Sequence, residues 1–306
     1  MWRVCSRQAT GAAIKEDDID PRIFELYDAY CHSAMARREF LQRAAAITVI
    51  GGSGLAMAQA LLPQYAQAQT ISFTDKRIKA RYVTYPSPGG NAAAMRGYLV
   101  QPAGDGPFPS VLIIHENRGL NPYIEDVARR AAVDGFLALA PDALTPFGGY
   151  PGNDDDGKVM QRKLDRAKIH VDMLNGAKFL KAHARSNGKI GATGFCFGGG
   201  VTNYLAVEMG ADLQAAAPFY GRAPDTAGVK NVKATVVVHY AEDDPRVNAT
   251  RADYEAALKA NGADYEMHTY AGTRHGFHNN STLRYNEAAA KLAWQRTIAM
   301  FKKQLA

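Results

Sequence analysis

A short stretch in the second half of the chain, KIGATGFCFGGG at 189–200, joins an apolar segment directly to closely spaced glycines. Gly194 and Gly198 flank Cys196 with one residue between on either side. This spacing lets a strand turn sharply into a helix, because neither glycine carries a Cβ atom. Such a turn lifts the Cys196 side chain out of the sheet and places it near the positive end of the next helix. The stretch therefore predicts a strand, a tight turn and a helix, with a readily ionised thiol at the turn.

After Ile71 the chain alternates apolar, strand-like segments with helical ones. An antiparallel pair over 78–86 and 95–102 opens this region, and the apolar run at 109–116 suits a central strand buried on both faces. The alternation predicts the α/β class, with a mostly parallel central sheet and helices on both faces, in a single domain over 69–306. Further strands are predicted at 136–142, 189–195, 215–221, 234–242 and 265–272, and helices at 123–134, 164–184, 252–261 and up to Phe301.

The first 68 residues are predicted to be a leader rather than part of that domain. They contain the paired Arg37 and Arg38, an uncharged stretch over 44–62 and a small-x-small cleavage pattern at 66–68. This order resembles a twin-arginine export signal, which predicts export machinery as a partner and a periplasmic or secreted protein without a stable membrane span. The alternatives are an ordinary N-terminal helix and an uncleaved anchor. Apolar residues with helical spacing at 23–30 favour a short amphipathic helix.

Composition excludes several classes of protein. The chain has 306 residues, of which 47% are hydrophobic and 22% charged, as is typical of a globular protein. The net charge of +6 is scattered, without a basic run interleaved with aromatic residues, so no nucleic-acid partner is expected. No glycine-rich phosphate loop precedes a Lys-Ser or Lys-Thr pair, which argues against nucleotide binding.

Two groups of residues look like cation sites but are not expected to bind metal. His275 and His278 are too close together for a zinc site and lack a third ligand candidate. The acidic run at 153–157 lacks the alternating spacing and later glutamate of a calcium loop. The glycine-, proline- and aspartate-rich segment 145–157 is therefore predicted to be a solvated lid loop. Neither a metal nor a cofactor is expected.

An acid and a base follow Cys196 at later strand ends. Asp243 and Asp244 come after an apolar strand, and His275 lies in the loop after the next strand. Nucleophile, acid and base therefore stand in the order found in hydrolases built on this kind of turn, and the order alone leaves both aspartates open. The amide of Phe197, the first after the proposed nucleophile, is placed to donate to an oxyanion.

These motifs together resemble the dienelactone hydrolases, cysteine-dependent members of the α/β-hydrolase fold. The resemblance covers 82–301 and rests on GFCFGGG, AEDDPRVN, GTRHGF, PFYG and IHENRGLN. It implies hydrolysis of an ester or lactone through a thioester acyl-enzyme, with Cys196 as nucleophile. It also implies that Glu116 interacts with the resting thiol and that Asn117 supplies a second oxyanion amide. Asp244 is the preferred acid, because Val247 stands at the family's spacing from it.

The resemblance also bears on the small-molecule substrate. The dienelactone-cleaving members hold a substrate carboxylate with two arginines, and this chain has Lys178 and Asn279 at those positions. Lysine offers a point charge instead of a planar fork, and asparagine offers no charge. Carboxylate-bearing dienelactones are therefore expected to be poor substrates. Arg118, Arg222 and Tyr220 of the PFYG motif are further candidates for substrate contacts.

Two other classes of function remain open from the sequence. Removal of the leader also removes Cys5 and Cys31, which leaves Cys196 without a partner for an intramolecular disulfide. Cys196 could then be a redox-active thiol, although the mature chain offers no resolving cysteine. The domain could also be a non-catalytic binding module on a hydrolase scaffold, because fold alone does not imply function.

Overall fold

The computed structural model describes residues 14–49 and 53–306. The chain divides into two compact units, with the boundary between Pro63 and Gln64. Cys5 and the segment 50–52 of the predicted uncharged stretch lie outside the described residues. In the described part of the chain, no helix is both long and apolar enough to cross a membrane.

The smaller unit consists of short helices, α1 (Pro21–His32), α2 (Arg37–Ala45) and α3 (Gly54–Ala60). The amphipathic helix predicted at 23–30 is confirmed as α1. Asp20 caps its N-terminus by accepting a hydrogen bond from the backbone of Arg22. Aromatic side chains form the core of the unit, and the ring of Phe40 stacks on that of Tyr30 with their centroids 4.9 Å apart.

The larger unit is built on one eight-stranded sheet. Its strands are β1 (Ile78–Pro86), β2 (Ala94–Pro102), β3 (Phe108–Ile114), β4 (Leu137–Pro141), β5 (Ser186–Phe195), β6 (Ala215–Phe219), β7 (Thr235–Asp243) and β8 (Tyr265–Arg274). They lie in the order β1-β2-β4-β3-β5-β6-β7-β8. β2 pairs antiparallel with β1 and β4, and all other neighbours are parallel. The predicted mostly parallel sheet is confirmed.

Helices cover both faces of this sheet, as predicted. They are α4 (Tyr65–Ala68), α5 (Pro122–Val133), α6 (Asp154–Lys163), α7 (Arg166–Lys181), α8 (Phe197–Met209), α9 (Pro245–Asn248), α10 (Arg251–Ala260) and α11 (Glu287–Leu305). Successive residues of a strand point to opposite faces. Val111 accordingly packs in the core with α5 and α11, whereas Leu112 packs in the core with α7, α8 and α10. Both faces of β3 are therefore buried, which explains its continuous apolar run.

The predicted loop over 145–157 is confirmed only over 148–153. Residues Thr145–Phe147 form a 3-10 turn, and the acidic run begins the helix α6. The side chain of Asn153 caps this helix by accepting from the backbone N–H of Asp156 at 2.9 Å. Acidic residues in the first turn of a helix are stabilised by its macrodipole, and Asp154 is further fixed by a buried ion pair with Arg118. Local composition favoured a loop, but capping and tertiary contacts form a helix.

The carboxyl ends of the parallel strands meet at one edge of the sheet. Glu116 follows β3, Cys196 follows β5, Asp244 follows β7 and His275 follows β8. β3 and β5 are direct neighbours, as are β7 and β8. The topology therefore brings residues far apart in sequence to the edge where ligands bind in such sheets.

Candidate active site

Cys196 lies at a strained turn between β5 and α8. Its backbone has φ 55° and ψ −112°, a conformation that residues with a side chain rarely adopt. The glycines of the motif permit the turn because the backbones approach closely. A Cβ atom on Gly194 would lie 2.3 Å from the carbonyl oxygen of Gly198, and one on Gly198 would lie 2.3 Å from that of Ile114. The predicted strand, tight turn and helix are thus present.

His275 and Asp244 form a buried pair beside this turn. Nδ1 of His275 lies 2.5 Å from Oδ2 of Asp244, while Oδ1 of Asp244 accepts from the backbone N–H of Val247 at 3.3 Å and caps α9. Asp243 points elsewhere, because its carboxylate forms an ion pair with Arg274 at the protein surface. The structure therefore pairs His275 with Asp244 and not with Asp243.

The other side of the imidazole faces Cys196. A ring nitrogen of His275 lies within 4.8 Å of Cys196 Sγ, so the two groups are close enough to interact electrostatically. Burial lowers the pKa of His275, but the negative charge of Cys196 and the hydrogen bonds to Asp244 and Cys196 outweigh it and raise the pKa to about 9. The raised pKa keeps the imidazole of His275 largely protonated at neutral pH, so that it can stabilise a negative charge that develops on Cys196.

Glu116 completes the charged group. Burial and the negative charge of Cys196 raise the pKa of its carboxyl, against the opposing effect of the charges of Arg118, His275 and Arg284. Its Oε2 accepts a hydrogen bond from Nδ2 of Asn279 at 3.1 Å. Asn279 thus lies in the site as the neutral partner of a carboxylate.

The two predicted oxyanion donors, the amides of Phe197 and Asn117, lie in neighbouring segments. Phe197 is the first residue of α8, so its N–H has no acceptor within the helix. Asn117 lies in the turn that follows β3, and the start of α8 packs against the end of β3 through Gly198. The two predicted donors therefore come from segments that contact each other beside Cys196.

A family model agrees with this geometry. The model described as the dienelactone hydrolase family matches residues 95–305, which include every residue of the group above. The chain belongs to the dienelactone hydrolase family. The predicted resemblance and the α/β-hydrolase fold are confirmed, and the protein is a hydrolase of esters or lactones. A second model, described as YqhI-like, matches residues 13–47 of the smaller unit.

Relatives of known sequence cover much of the same region. The "Protein usf" of Aquifex pyrophilus is 35% identical over 225 residues, which is 70% of this chain and 96% of that protein. A Saccharolobus solfataricus protein named "Putative carboxymethylenebutenolidase" is 30% identical over 72% of this chain and 97% of its own length. The Escherichia coli K12 "Putative hydrolase fragment YghX" is 56% identical over 114 residues, which is 37% of this chain and 97% of the fragment.

Solved structures share the fold. A Klebsiella pneumoniae protein, described as a "Putative Dienelactone Hydrolase", is 27% identical and superposes with a TM-score of 0.63 over 73% of this chain and 99% of its own. A dienelactone hydrolase-like phosphotriesterase, P91, from metagenomic libraries is 24% identical, with a TM-score of 0.64 over 75% of this chain and 100% of its own. At that level of identity, the second likeness concerns the fold alone.

Of the four predicted substrate contacts, Tyr220 lies beside His275. Its ring centroid is 5.0 Å from that of His275, and its backbone has a positive φ of 36°. Burial raises the pKa of its hydroxyl well above the usual value, and the nearby Tyr123, Glu116 and Cys196 add to that effect. The hydroxyl therefore stays protonated, as a donor close to the thiol.

The other three substrate candidates are placed differently. Arg118 is buried in an ion pair with Asp154. The side chain of Arg222 is exposed and lines a groove beside α8 together with Arg166, and neither Cys196 nor His275 lines that groove. Lys178 acts electrostatically on Asp212, which precedes β6 at the opposite edge of the sheet. Lys178 therefore lies away from Cys196 and Arg118 is held by Asp154, and their substrate contacts stay predictions.

Two features near the site were not predicted from the sequence. Arg284 packs against Gly276, where a Cβ atom would lie 3.2 Å from its guanidinium, and its charge lowers the pKa of Glu116. His278 donates to or accepts from the hydroxyl of Tyr123 at 2.7 Å, and burial lowers its pKa well below the usual value. No sequence signal marks Arg284, because it reaches the site from a segment with no recognisable motif.

Proposed function

We propose that the protein cleaves a small ester or lactone through a thioester acyl-enzyme, with Cys196, His275 and Asp244 as a catalytic triad. The observation that carries the proposal is the buried chain of contacts from Asp244 through His275 to Cys196. An oriented imidazole between a carboxylate and a thiol is the arrangement that activates a nucleophile and then moves its proton.

In the acylation step, the thiolate of Cys196 attacks the carbonyl carbon and forms a C–S bond. The amides of Phe197 and Asn117 donate to the oxyanion that develops. Collapse of the tetrahedral intermediate breaks the C–O bond to the leaving group, which takes its proton from the imidazolium of His275. The products of this step are the thioester and an alcohol; for a lactone, the alcohol stays attached to the acyl group.

In the deacylation step, neutral His275 accepts a proton from water as the oxygen attacks the thioester. The same amides hold the second oxyanion, and its collapse expels the thiolate of Cys196 with release of the acid product. His275 is again an imidazolium at the end of the step. Asp244 fixes the ring orientation throughout and stabilises the imidazolium, without itself becoming protonated.

Glu116 is proposed to hold the thiol proton as substrate enters. Its carboxyl has a raised pKa and lies within electrostatic reach of Cys196, so it is suited to accept a proton from the sulfur. Transfer from a neutral thiol to the Glu116 carboxylate leaves the thiolate beside the imidazolium, ready to attack. This role explains how a single thiol could stay unreactive until substrate is bound.

The test uses a panel of short aryl esters and lactones with Cys196→Ala. We expect nearly complete loss of turnover with an unchanged circular dichroism spectrum. In the parent, mass spectrometry should detect an acyl group on the peptide that contains Cys196. Cys31→Ala serves as the matched control, since it removes the other thiol of the described chain. Retained turnover in a folded Cys196→Ala variant would exclude the proposed triad.

We also propose that residues 1–68 direct export of the folded chain by a twin-arginine route to the periplasm or beyond. The support is the paired Arg37 and Arg38, both exposed in the structure at the start of α2, and the small-x-small pattern at 66–68. An export route for folded proteins suits a domain whose site is assembled from four distant strand ends.

A further inference from the structure

We infer that Asp154 is a positioning residue, which acts through Arg118 to fix the segment that carries Glu116 and Asn117. The inference rests on the proposed function, because it concerns the geometry of the same site. Asp154 belongs to the acidic run that the sequence marked as a solvated loop, and nothing in the triad involves it. Its contacts point instead to the turn after β3.

The first contact is a buried ion pair. Nη1 of Arg118 lies 2.7 Å from Oδ2 of Asp154, and the two side chains are only 8% and 9% exposed. Arg118 directly follows Asn117, the proposed oxyanion donor. Removing one partner of such a pair leaves an uncompensated buried charge, whereas the intact pair holds one geometry. Asp154 therefore restrains the turn at the residue beside the oxyanion donor.

Two tyrosines hold Asp154 in turn. The hydroxyl of Tyr65 donates to its carboxylate at 2.7 Å, and that of Tyr150 donates to it at 2.9 Å. The Tyr65 hydroxyl accepts from Nδ2 of Asn121, which caps α5 directly after the turn. The carboxylate thus has three donors in the full-length chain and keeps Arg118 and Tyr150 once residues 1–68 are removed, so its position is determined by the surrounding structure and not by its own flexibility.

Two further residues of α6 contact the turn that follows β3. A Cβ atom on Gly157 would lie 2.3 Å from the carbonyl oxygen of Arg118, so the helix backbone touches the turn directly. Oε1 of Gln161 accepts from the backbone N–H of Gly119 at 3.0 Å. Asp154, Gly157 and Gln161 lie three or four residues apart, on one face of the helix. This face meets the turn over Arg118 and Gly119.

The ion pair also controls charge near the thiol. The guanidinium of Arg118 lowers the pKa of Glu116. Asp154 partly neutralises that guanidinium, so its loss should strengthen the effect of Arg118 on Glu116. A change at Asp154 is therefore expected to alter both the position of the oxyanion amide and the ionisation of Glu116.

The experiment compares Asp154→Asn with Asp156→Asn in the full chain. Both remove one charge from the first turn of α6, but Asp156 is exposed, and its carboxylate accepts a hydrogen bond from Nδ2 of Asn153 instead of pairing with Arg118. We expect Asp154→Asn to lower kcat by about tenfold to a hundredfold with a smaller change in KM, as a displaced catalytic segment does. The pH profile of Cys196 alkylation by iodoacetamide should move to higher pH, because a less basic Glu116 accepts the thiol proton less readily, whereas Asp156→Asn should match the parent in both.

A background variant shows whether the effect passes through Arg118. Arg118→Met removes the guanidinium, and Asp154→Asn added to it should cause no further shift of the alkylation profile. A second shift of the same size would overturn the inference, as would equal kinetics in Asp154→Asn and Asp156→Asn. If Asp154→Asn does not fold, Tyr150→Phe should give a smaller loss of kcat, and an unchanged kcat there overturns the inference. Failure of the triad would instead appear as turnover in Cys196→Ala.

Discussion

Nδ1 of His275 lies 2.5 Å from Oδ2 of Asp244, and the two residues are only 5% and 4% exposed. Because water cannot replace the carboxylate at such a buried contact, Asp244→Asn should impair the orientation and charge of the imidazole. We expect kcat to fall by about 10³–10⁴-fold, the size of effect seen when this partner is neutralised in a triad. Steady-state hydrolysis of an aryl ester measures it.

Asp243→Asn is the matched control for that change. Asp243 is the adjacent carboxylate, but it pairs with Arg274 at the surface, and exposed pairs contribute little. The activity of the Asp243→Asn variant should stay within about twofold of the parent, because surface substitutions usually have small effects. The reverse result, with Asp243→Asn inactive and Asp244→Asn active, would assign the acid to Asp243.

The second prediction concerns pH. The pKa of His275 is raised to about 9, from an ordinary value of 6.5, despite burial. The stability contributed by the protonated ring is therefore complete below about pH 6.5 and is lost as the pH rises through about 9. We expect kcat/KM to decline above about pH 9, where the general acid is lost.

Cys196→Ser provides the comparison. A hydroxyl carries no negative charge at these pH values, so the pKa of His275 should fall in this variant. Titration of the imidazole by NMR in both proteins measures the difference. An unchanged midpoint in Cys196→Ser would show that the sulfur does not contribute to the raised pKa.

The third prediction tests Glu116. Glu116→Gln keeps the size of the side chain and the contact with Asn279, but an amide is a poor proton acceptor. Acylation should slow, and the pH dependence of iodoacetamide alkylation of Cys196 should change, because the carboxyl no longer exchanges a proton with the thiol. Rapid-mixing kinetics and alkylation rates measure the two effects. Superimposable alkylation curves with unimpaired acylation would leave Glu116 a structural residue.

The strands and the shape of the site could be predicted because each depends on local sequence. β3, β5 and β7 are apolar runs followed by a polar residue, and parallel topology then brings those ends together. The glycine pair around Cys196 predicts the turn for an equally local reason, since any Cβ atom there would collide with backbone. These predictions required no knowledge of distant contacts.

The parts that could not be predicted depend on contacts between segments far apart in the chain. Asp154 looked solvated because its neighbours are acidic, yet the pairing with Arg118, 36 residues earlier, buries it. Arg284 reaches the site from a segment that carries no motif, and Lys178 lies at the wrong edge of the sheet although its family position suggested a substrate contact. Composition and spacing do not reveal such partners.

The fourth prediction concerns substrate choice. Arg118 forms an ion pair with Asp154. The uncharged Asn279 donates a hydrogen bond to Glu116, so neither residue offers an unpaired positive charge to a substrate carboxylate. A neutral lactone should therefore have a higher kcat/KM than a carboxylate-bearing dienelactone. The missing charge-assisted contact corresponds to about 1.5–3 kcal/mol, or roughly tenfold to a hundredfold. If a dienelactone is hydrolysed faster than every neutral ester, another positively charged side chain must bind its carboxylate. The Arg284→Met variant would then show whether that side chain is Arg284.

The last prediction tests the proposed export signal. Twin-arginine recognition depends on both guanidinium groups, and lysine offers the charge without the planar fork. Arg37→Lys combined with Arg38→Lys should therefore trap the precursor in the cytoplasm, whereas the parent should yield a mature protein that begins near Gln69. Arg43→Lys is the matched control, because it changes another exposed arginine of α2, paired only with Glu39 within that helix. Fractionation and N-terminal sequencing measure both outcomes. Equal periplasmic accumulation of the double variant, the control and the parent would refute the twin-arginine route and favour an ordinary N-terminal helical unit, without affecting the proposed triad.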